Sequence, residues 1–381
     1  MTSKMPEAMA APPFLPLPDD IGNPDDGLCN ICQSLDLAVN RFVVLPGDEE
    51  YNQWNKPDDA SIYLGKVEDV KKKTHCPFCR LVLVSLSSTL EVPNQENGQP
   101  LYISLSWTTN GPRPNPSAPW NHRPEVRLLR LYLRTKAGGF PEVRLNFFPE
   151  ITLLANDSPT DSTAYFIRQY EPDKIDFAVV RRWLALCDAH HGEACRKNPV
   201  FKELKTSYQD RKVPDFRCVD VEKRCVTKLP SGSRYAALSY VWGVPVSFKA
   251  VKGNIEKLEE PGSLDSDEYR DKVPLTIRDA LHVAKEIGIR YLWVDNLCIV
   301  QDDPDIQKET IKTMDLIYSE ADLVIVTAGS NTAMSGISGL RSGTRGSRQP
   351  IEQIAPGFRL AFNSRWMNLM GNRPYNTRGW T

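Results

Sequence analysis

An α/β protein, with a parallel-sheet C-terminal half behind a Cys-rich α+β region, is the fold class this sequence predicts. Three observations carry it. Residues 235–328 alternate strand, helix, strand, helix, strand, the order that builds a parallel sheet with right-handed crossovers. Two Cys-x-x-Cys pairs stand near the N-terminus, at 29/32 and 76/79. Between them and the C-terminal half, Val126, Leu128, Leu131 and Leu133 alternate with charged residues, as in a half-buried antiparallel strand. The chain has 381 residues, room for two or three domains, and its 41% hydrophobic content is that of a core-forming protein.

The elements follow in order. Residues 1–27, dense in Pro and Asp, read as a disordered tail. Residues 28–195 make the Cys-rich α+β region. Within it, Cys76–Leu90 reads as a helix, and Leu101–Trp107, Val126–Thr135 and Val143–Phe148 as strands. Thr108–Arg123 reads as a long loop, and Asp176–His190 as an amphipathic helix with Phe177, Val180, Leu184 and Cys187 at helical spacing. Residues 196–233 read as a polar connection.

From residue 234 onward the apolar segments sharpen. Tyr235–Tyr240 is a strand. Thr276–Ile287 is a helix bracketed by Pro274 and Gly288 as start and stop signals. Tyr291–Asp295 is a buried-type strand, Ile306–Ala321 a helix and Leu323–Ala328 a third strand. Ligands of parallel sheets gather at the carboxyl ends of the strands, here 239–243, 295–298 and 329–331.

Composition excludes several classes. The formal net charge of −1 gives no electrostatic footprint for nucleic acid or an anionic membrane. No run reaches the roughly 18 apolar residues of a membrane span, and the N-terminus has no secretory pattern, so the expected location is cytoplasmic. Nine cysteines, an odd number spread along a long chain, point to reduced thiols or metal ligands rather than a disulfide framework. Neither a G-x-S-x-G elbow nor a phosphate-binding G-x-x-x-x-G-K-[ST] loop occurs.

Three segments carry a resemblance. They are Tyr235-Ala-Ala-Leu-Ser-Tyr-Val-Trp-Gly243; Arg290-Tyr-Leu-Trp-Val-Asp-Asn-Leu-Cys-Ile-Val-Gln-Asp-Asp303, followed by Glu309, Met314, Tyr318 and Ala321; and Asn376-Thr-Arg-Gly-Trp-Thr381. In this order they resemble the motifs of the fungal heterokaryon-incompatibility (HET) domain, and Leu275–Ala280 fits the helix between the first two. The last motif of the family continues with a Gln-Glu pair, so a domain over 234–381 cut short at its C-terminal end is expected. The resemblance implies a role in allorecognition, where a protein partner or self-association triggers programmed cell death. It also implies a parallel with TIR domains, flavodoxin-like modules that in some branches cleave NAD, which makes NAD a possible substrate.

Candidate site residues follow from strand ends and ligand spacing. Asp295 closes a strand, where a carboxylate can hold a ribose hydroxyl or a cation. Glu309, in the first turn of the helix expected next, could stabilise an oxocarbenium-like centre. Tyr240 and Trp242 could stack on a nicotinamide or adenine ring, with Gly243 and Asn296 completing the ligand-binding set. The competing reading makes the carboxylates helix-dipole partners and the aromatics core. Asp302, Asp303 and Asp305 could hold a cation, or Asp305 could cap a helix.

Cys29, Cys32, Cys76 and Cys79 can supply four thiolates to a structural zinc ion, with His75 able to replace one, or be two unrelated buried pairs. Cys187, His191 and Cys195 share a face only if their helix continues past Gly192.

Overall fold

The computed structural model describes residues 12–17, 21–23, 25–45, 47–48, 62–87, 92–111, 125–136, 139–142, 149–160, 166–171, 174–190, 213, 215–243, 248–345 and 349–363. The strand expected at 143–148, His191, Cys195 and the motif 376–381 lie outside them. The chain divides into two compact units, one built on residues 13–172 with 347–371, the other on 173–346.

The first unit is an antiparallel sheet with helices. Its strands are β1 (Ile62–Lys66), β2 (Gln95–Glu96), β3 (Gln99–Pro100), β4 (Tyr102–Asn110), β5 (Val126–Lys136), β6 (Gly139–Glu142) and β7 (Glu150–Leu153). The long β4–β5 pair sets Ile103, Leu105 and Trp107 opposite Leu133, Leu131 and Leu129, so one face of the ladder is continuous apolar side chain. The helix Pro77–Ser87, which opens on a proline that needs no N–H partner, buries Phe78, Leu81, Val82 and Leu86 in the same core. β2 and β3 form a separate hairpin turned by Asn97 and Gly98, both at positive φ, as a two-residue turn requires. Ordered chain reaches into the stretch read as a tail: Gly27 donates its N–H to the His75 carbonyl at 3.1 Å.

The second unit carries β8 (Arg217–Asp220), β9 (Cys225–Lys228), β10 (Tyr235–Ser239), β11 (Tyr291–Trp293) and β12 (Leu323–Val326), in the order β12-β10-β11-β8-β9. β10 runs parallel to both β11 and β12, whereas β8 and β9 are antiparallel. The sheet is therefore mixed rather than purely parallel, because the presumed polar connection contains the β8–β9 hairpin. Its apolar runs, Cys218–Val219 and Cys225–Val226, are too short to announce a strand, although all four are buried.

The helix Leu275–Glu286 links β10 to β11, ending as expected on Gly288 in the left-handed region. The helix expected at 306–321 is broken into Pro304–Lys312 and Met314–Ser319. Thr313 lies between them with its hydroxyl donated back to the carbonyls of Glu309 and Thr310 at 3.0 and 3.1 Å.

Past residue 346 the chain forms a hairpin, β13 (Ile351–Ala355) and β14 (Phe358–Asn363), that joins the sheet of the first unit. That sheet runs β1-β4-β5-β7-β14-β13, with β6 on β5. Leu360 pairs with Leu153, and Phe358, Leu360 and Phe362 enter its core. Arg359 is bound to Asp157 through its guanidinium, and its backbone N–H donates to the same carboxylate at 2.7 Å.

Candidate functional site

Strand ends of the second unit bring together part of the expected set. After β10 the chain turns through Tyr240, Val241 and Trp242 to Gly243, whose φ of +75° no side chain favours. A Cβ there would lie 2.9 Å from that of Thr332. Trp242 Nε1 donates to Asp295 Oδ2 at 2.8 Å, and the Asn296 N–H donates to Asp295 Oδ1 at 2.8 Å. The Tyr240 hydroxyl is buried beside the same carboxylate, and burial together with the Asp295 charge pushes it far above the usual tyrosine range. Asp295 begins the short helix Asp295–Cys298 and is partly exposed.

Asn296 is wholly buried. Its side-chain amide donates to the Phe248 carbonyl at 3.2 Å and its backbone carbonyl accepts the Ala250 N–H at 2.8 Å, so it fastens the loop after residue 247. Gln301 ties the same turn, donating to the Asp295 carbonyl at 3.0 Å.

Glu309 stands apart from this cluster in its bonding. It lies in the second turn of Pro304–Lys312, is exposed, and pairs with Lys312 at 2.6 Å, which holds its carboxyl below the ordinary glutamate range. The capping residue of that helix is Asp303, which accepts the Ile306 N–H at 3.2 Å, rather than Asp305. Asp302 accepts the Lys252 N–H and Asp303 pairs with Lys252 Nζ, so these two acids hold the 248–254 loop.

Residues unmarked in the sequence frame the strand ends. Asp279, buried in the helix Leu275–Glu286, grips Arg341 through both oxygens at 2.6 and 2.8 Å and accepts the Ile337 N–H at 2.6 Å. One turn earlier Thr276 accepts the Gly336 N–H at 3.0 Å, while Ala333 donates to the Trp242 carbonyl at 3.1 Å. The loop that follows β12 is thereby pinned against Trp242. The one available signal was a carboxylate inside the helix's apolar stripe, between Ile277 and Ala280.

The first unit holds a second candidate. Cys29, Cys32, Cys76 and Cys79 place their sulfurs all within 4.8 Å of one another, and three of the four side chains are fully buried. Cys29 and Cys32 lie 3.8 and 3.6 Å from Cys79. Four sulfurs at roughly 2.3 Å from a tetrahedral Zn²⁺ would be about 3.8 Å apart, so the set fits that ion. Hydrogen bonds to Cys76 and Cys79, with burial, hold Cys32 far above the ordinary thiol range. Cys76, which receives the hydrogen bonds of Cys32 and Cys79, is driven well below it. His75 is exposed and enters only through its backbone carbonyl, so the cluster consists of the four cysteines. All eight cysteines among the described residues are free thiols.

Residues 235–381 match the family model described as Heterokaryon incompatibility protein (HET). Neither the curated proteins nor the solved structures compared with the chain gives a match. No helix among the described residues is long and apolar enough to cross a membrane.

Proposed function

We propose that the chain acts in heterokaryon incompatibility in a filamentous fungus, where its HET domain meets a protein partner in the cytoplasm and triggers cell death after non-self recognition. The family match over residues 235–381 carries this reading. Expression in a compatible host should raise the fraction of hyphal compartments that take up a vital dye. Asp295→Ala, which removes the acceptor of Trp242, should lower it while the protein remains folded by circular dichroism. Equal survival with and without the folded, full-length gene product would count against the proposal.

A second reading, cell killing by NAD cleavage, is favoured by the strand order. β10 lies between β11 and β12, the arrangement that opens a flavodoxin-like sheet, and such sheets bind ligands at the carboxyl ends beside that switch point. Trp242 and Asp295 stand at those ends. NAD concentration followed with protein clustered on beads decides it. Loss of NAD abolished by Asp295→Ala or Glu309→Ala supports an enzyme, and a constant NAD level leaves a self-associating scaffold.

For the first unit we infer a structural zinc ion on Cys29, Cys32, Cys76 and Cys79, supported by the sulfur spacing. Native mass spectrometry should show one zinc per chain, and a metal-free, folded chain would refute the assignment.

A further inference from the structure

Two residues adjoining the four-cysteine cluster meet in one ionic clamp. Arg80 directly follows Cys79, and Asp26 precedes Cys29 by three positions. The guanidinium donates to both oxygens of Asp26, at 2.7 and 2.6 Å, and to the Thr74 carbonyl at 2.8 Å. Its remaining donors reach both oxygens of Glu352, at 2.9 and 2.6 Å. Glu352 is 272 positions away, on β13 of the C-terminal hairpin. One planar fork therefore serves two carboxylates, a geometry that a flexible lysine ammonium does not reproduce. All three side chains are largely shielded, with exposures of 29% for Arg80, 10% for Asp26 and 19% for Glu352.

The two hairpin strands are held differently. β14 is zipped to β7 and sinks Phe358, Leu360 and Phe362 into the core. β13 is the edge strand of the sheet, half-buried except at the exposed Ala355, hydrogen-bonded to β14 and packed against the helix Pro77–Ser87 that carries Arg80. The first turn of that helix is closed by the Arg80 N–H donating to the Cys76 carbonyl at 3.1 Å, so Cys76, Cys79 and Arg80 occupy one turn. Whatever fixes the thiols also fixes the backbone turn from which the Arg80 side chain extends to its two carboxylates.

We propose that the four-cysteine site is a metal-dependent latch whose partner is this chain's own hairpin: zinc orders the turn that aims Arg80, and Arg80 with Asp26 then captures β13 through Glu352. The latch rests on the zinc reading and adds a consequence to it. The metal state of the first unit sets the order of a segment that lies inside the family-matched stretch 235–381. Linkage makes the coupling reciprocal, so a weakened clamp must also weaken zinc binding by the same factor.

The test uses the full chain and two readouts, amide exchange of residues 351–355 and zinc affinity by competition with a chromogenic chelator. Stripping zinc should speed exchange of β13 about tenfold or more, the loss expected when charge-assisted hydrogen bonds are released, and added Zn²⁺ should restore protection. Glu352→Gln, a conservative change on an edge strand, should produce the same faster exchange with one zinc still bound. It should also bind zinc about tenfold more weakly; Arg80→Lys should do likewise, and exchange of β10 and β11 serves as the folding control. A chain that binds no zinc overturns both the site and the latch. Zinc bound with equal affinity by wild type and Glu352→Gln, or hairpin exchange indifferent to zinc, overturns the latch and leaves the site standing.

Discussion

Trp242 has a single polar atom and directs it at Asp295. The bond joins residues 53 positions apart. Each residue was legible as a strand-end group, but the pairing was not, because nothing local in the sequence encodes which side chains converge when parallel strands are brought side by side. A hydrogen bond to a charged acceptor contributes about 1.5–3 kcal/mol, and this one is partly buried. Trp242→Phe is accordingly expected to lower the unfolding free energy of the second unit by about 1–2 kcal/mol in urea, and an unchanged midpoint would show the bond to be dispensable. Gly243 belongs to the same scale. Its positive φ and the 2.9 Å approach to Thr332 explain why a glycine ends the first motif, which the sequence showed only as a letter.

The elements were read best where periodic or unbroken apolar runs decide them. The helix Leu275–Glu286 and strands β4, β5, β10 and β12 lie close to their expected places. β8, β9, β13 and β14 were missed because charged or polar residues interrupt their apolar ones, unlike the apolar runs of β10 and β12, and they become strands through the partners they find. The break at Thr313 escaped because an amphipathic stripe continues across it. Asp279 was missed for the opposite reason, as a buried carboxylate whose purpose is a loop 58 and 62 positions away. Asp279→Asn should keep the helix but cost about 1–3 kcal/mol in chemical denaturation, with faster amide exchange first at Gly336 and Ile337.

The β8–β9 turn adds a pH dependence. Burial raises the Asp220 carboxyl, but Arg290 at 2.8 Å and the N–H groups of Glu222 and Lys223 outweigh it, leaving the group below its ordinary value. The unfolded chain then takes up the proton more readily than the folded one. This contribution is complete above the unfolded value of about 3.9 and is lost as pH falls through the lower folded value. An Asp220→Asn variant should therefore show a shallower acid limb in a stability titration than wild type.

At the scale of the whole molecule, the family match and the folding units do not share a boundary. Residues 351–363 lie inside the matched stretch yet complete the sheet of the first unit. A fragment of residues 235–381 would leave Phe358, Leu360 and Phe362 without their core, and such fully buried side chains are worth about 1.5–3 kcal/mol each. That fragment is expected to elute as aggregates in size-exclusion chromatography at concentrations where the full chain elutes as a discrete species. A discrete, soluble fragment would show that the hairpin finds other cover.

The same hairpin constrains how such a gene can recombine. A crossover between codons 172 and 347 that joins two diverged parents would assemble one sheet from strands of different ancestry. Leu360 from one parent would meet Leu153 from the other, and Arg359 would need to find Asp157. A hybrid chain therefore completes this sheet only where the two parents still match along the seam.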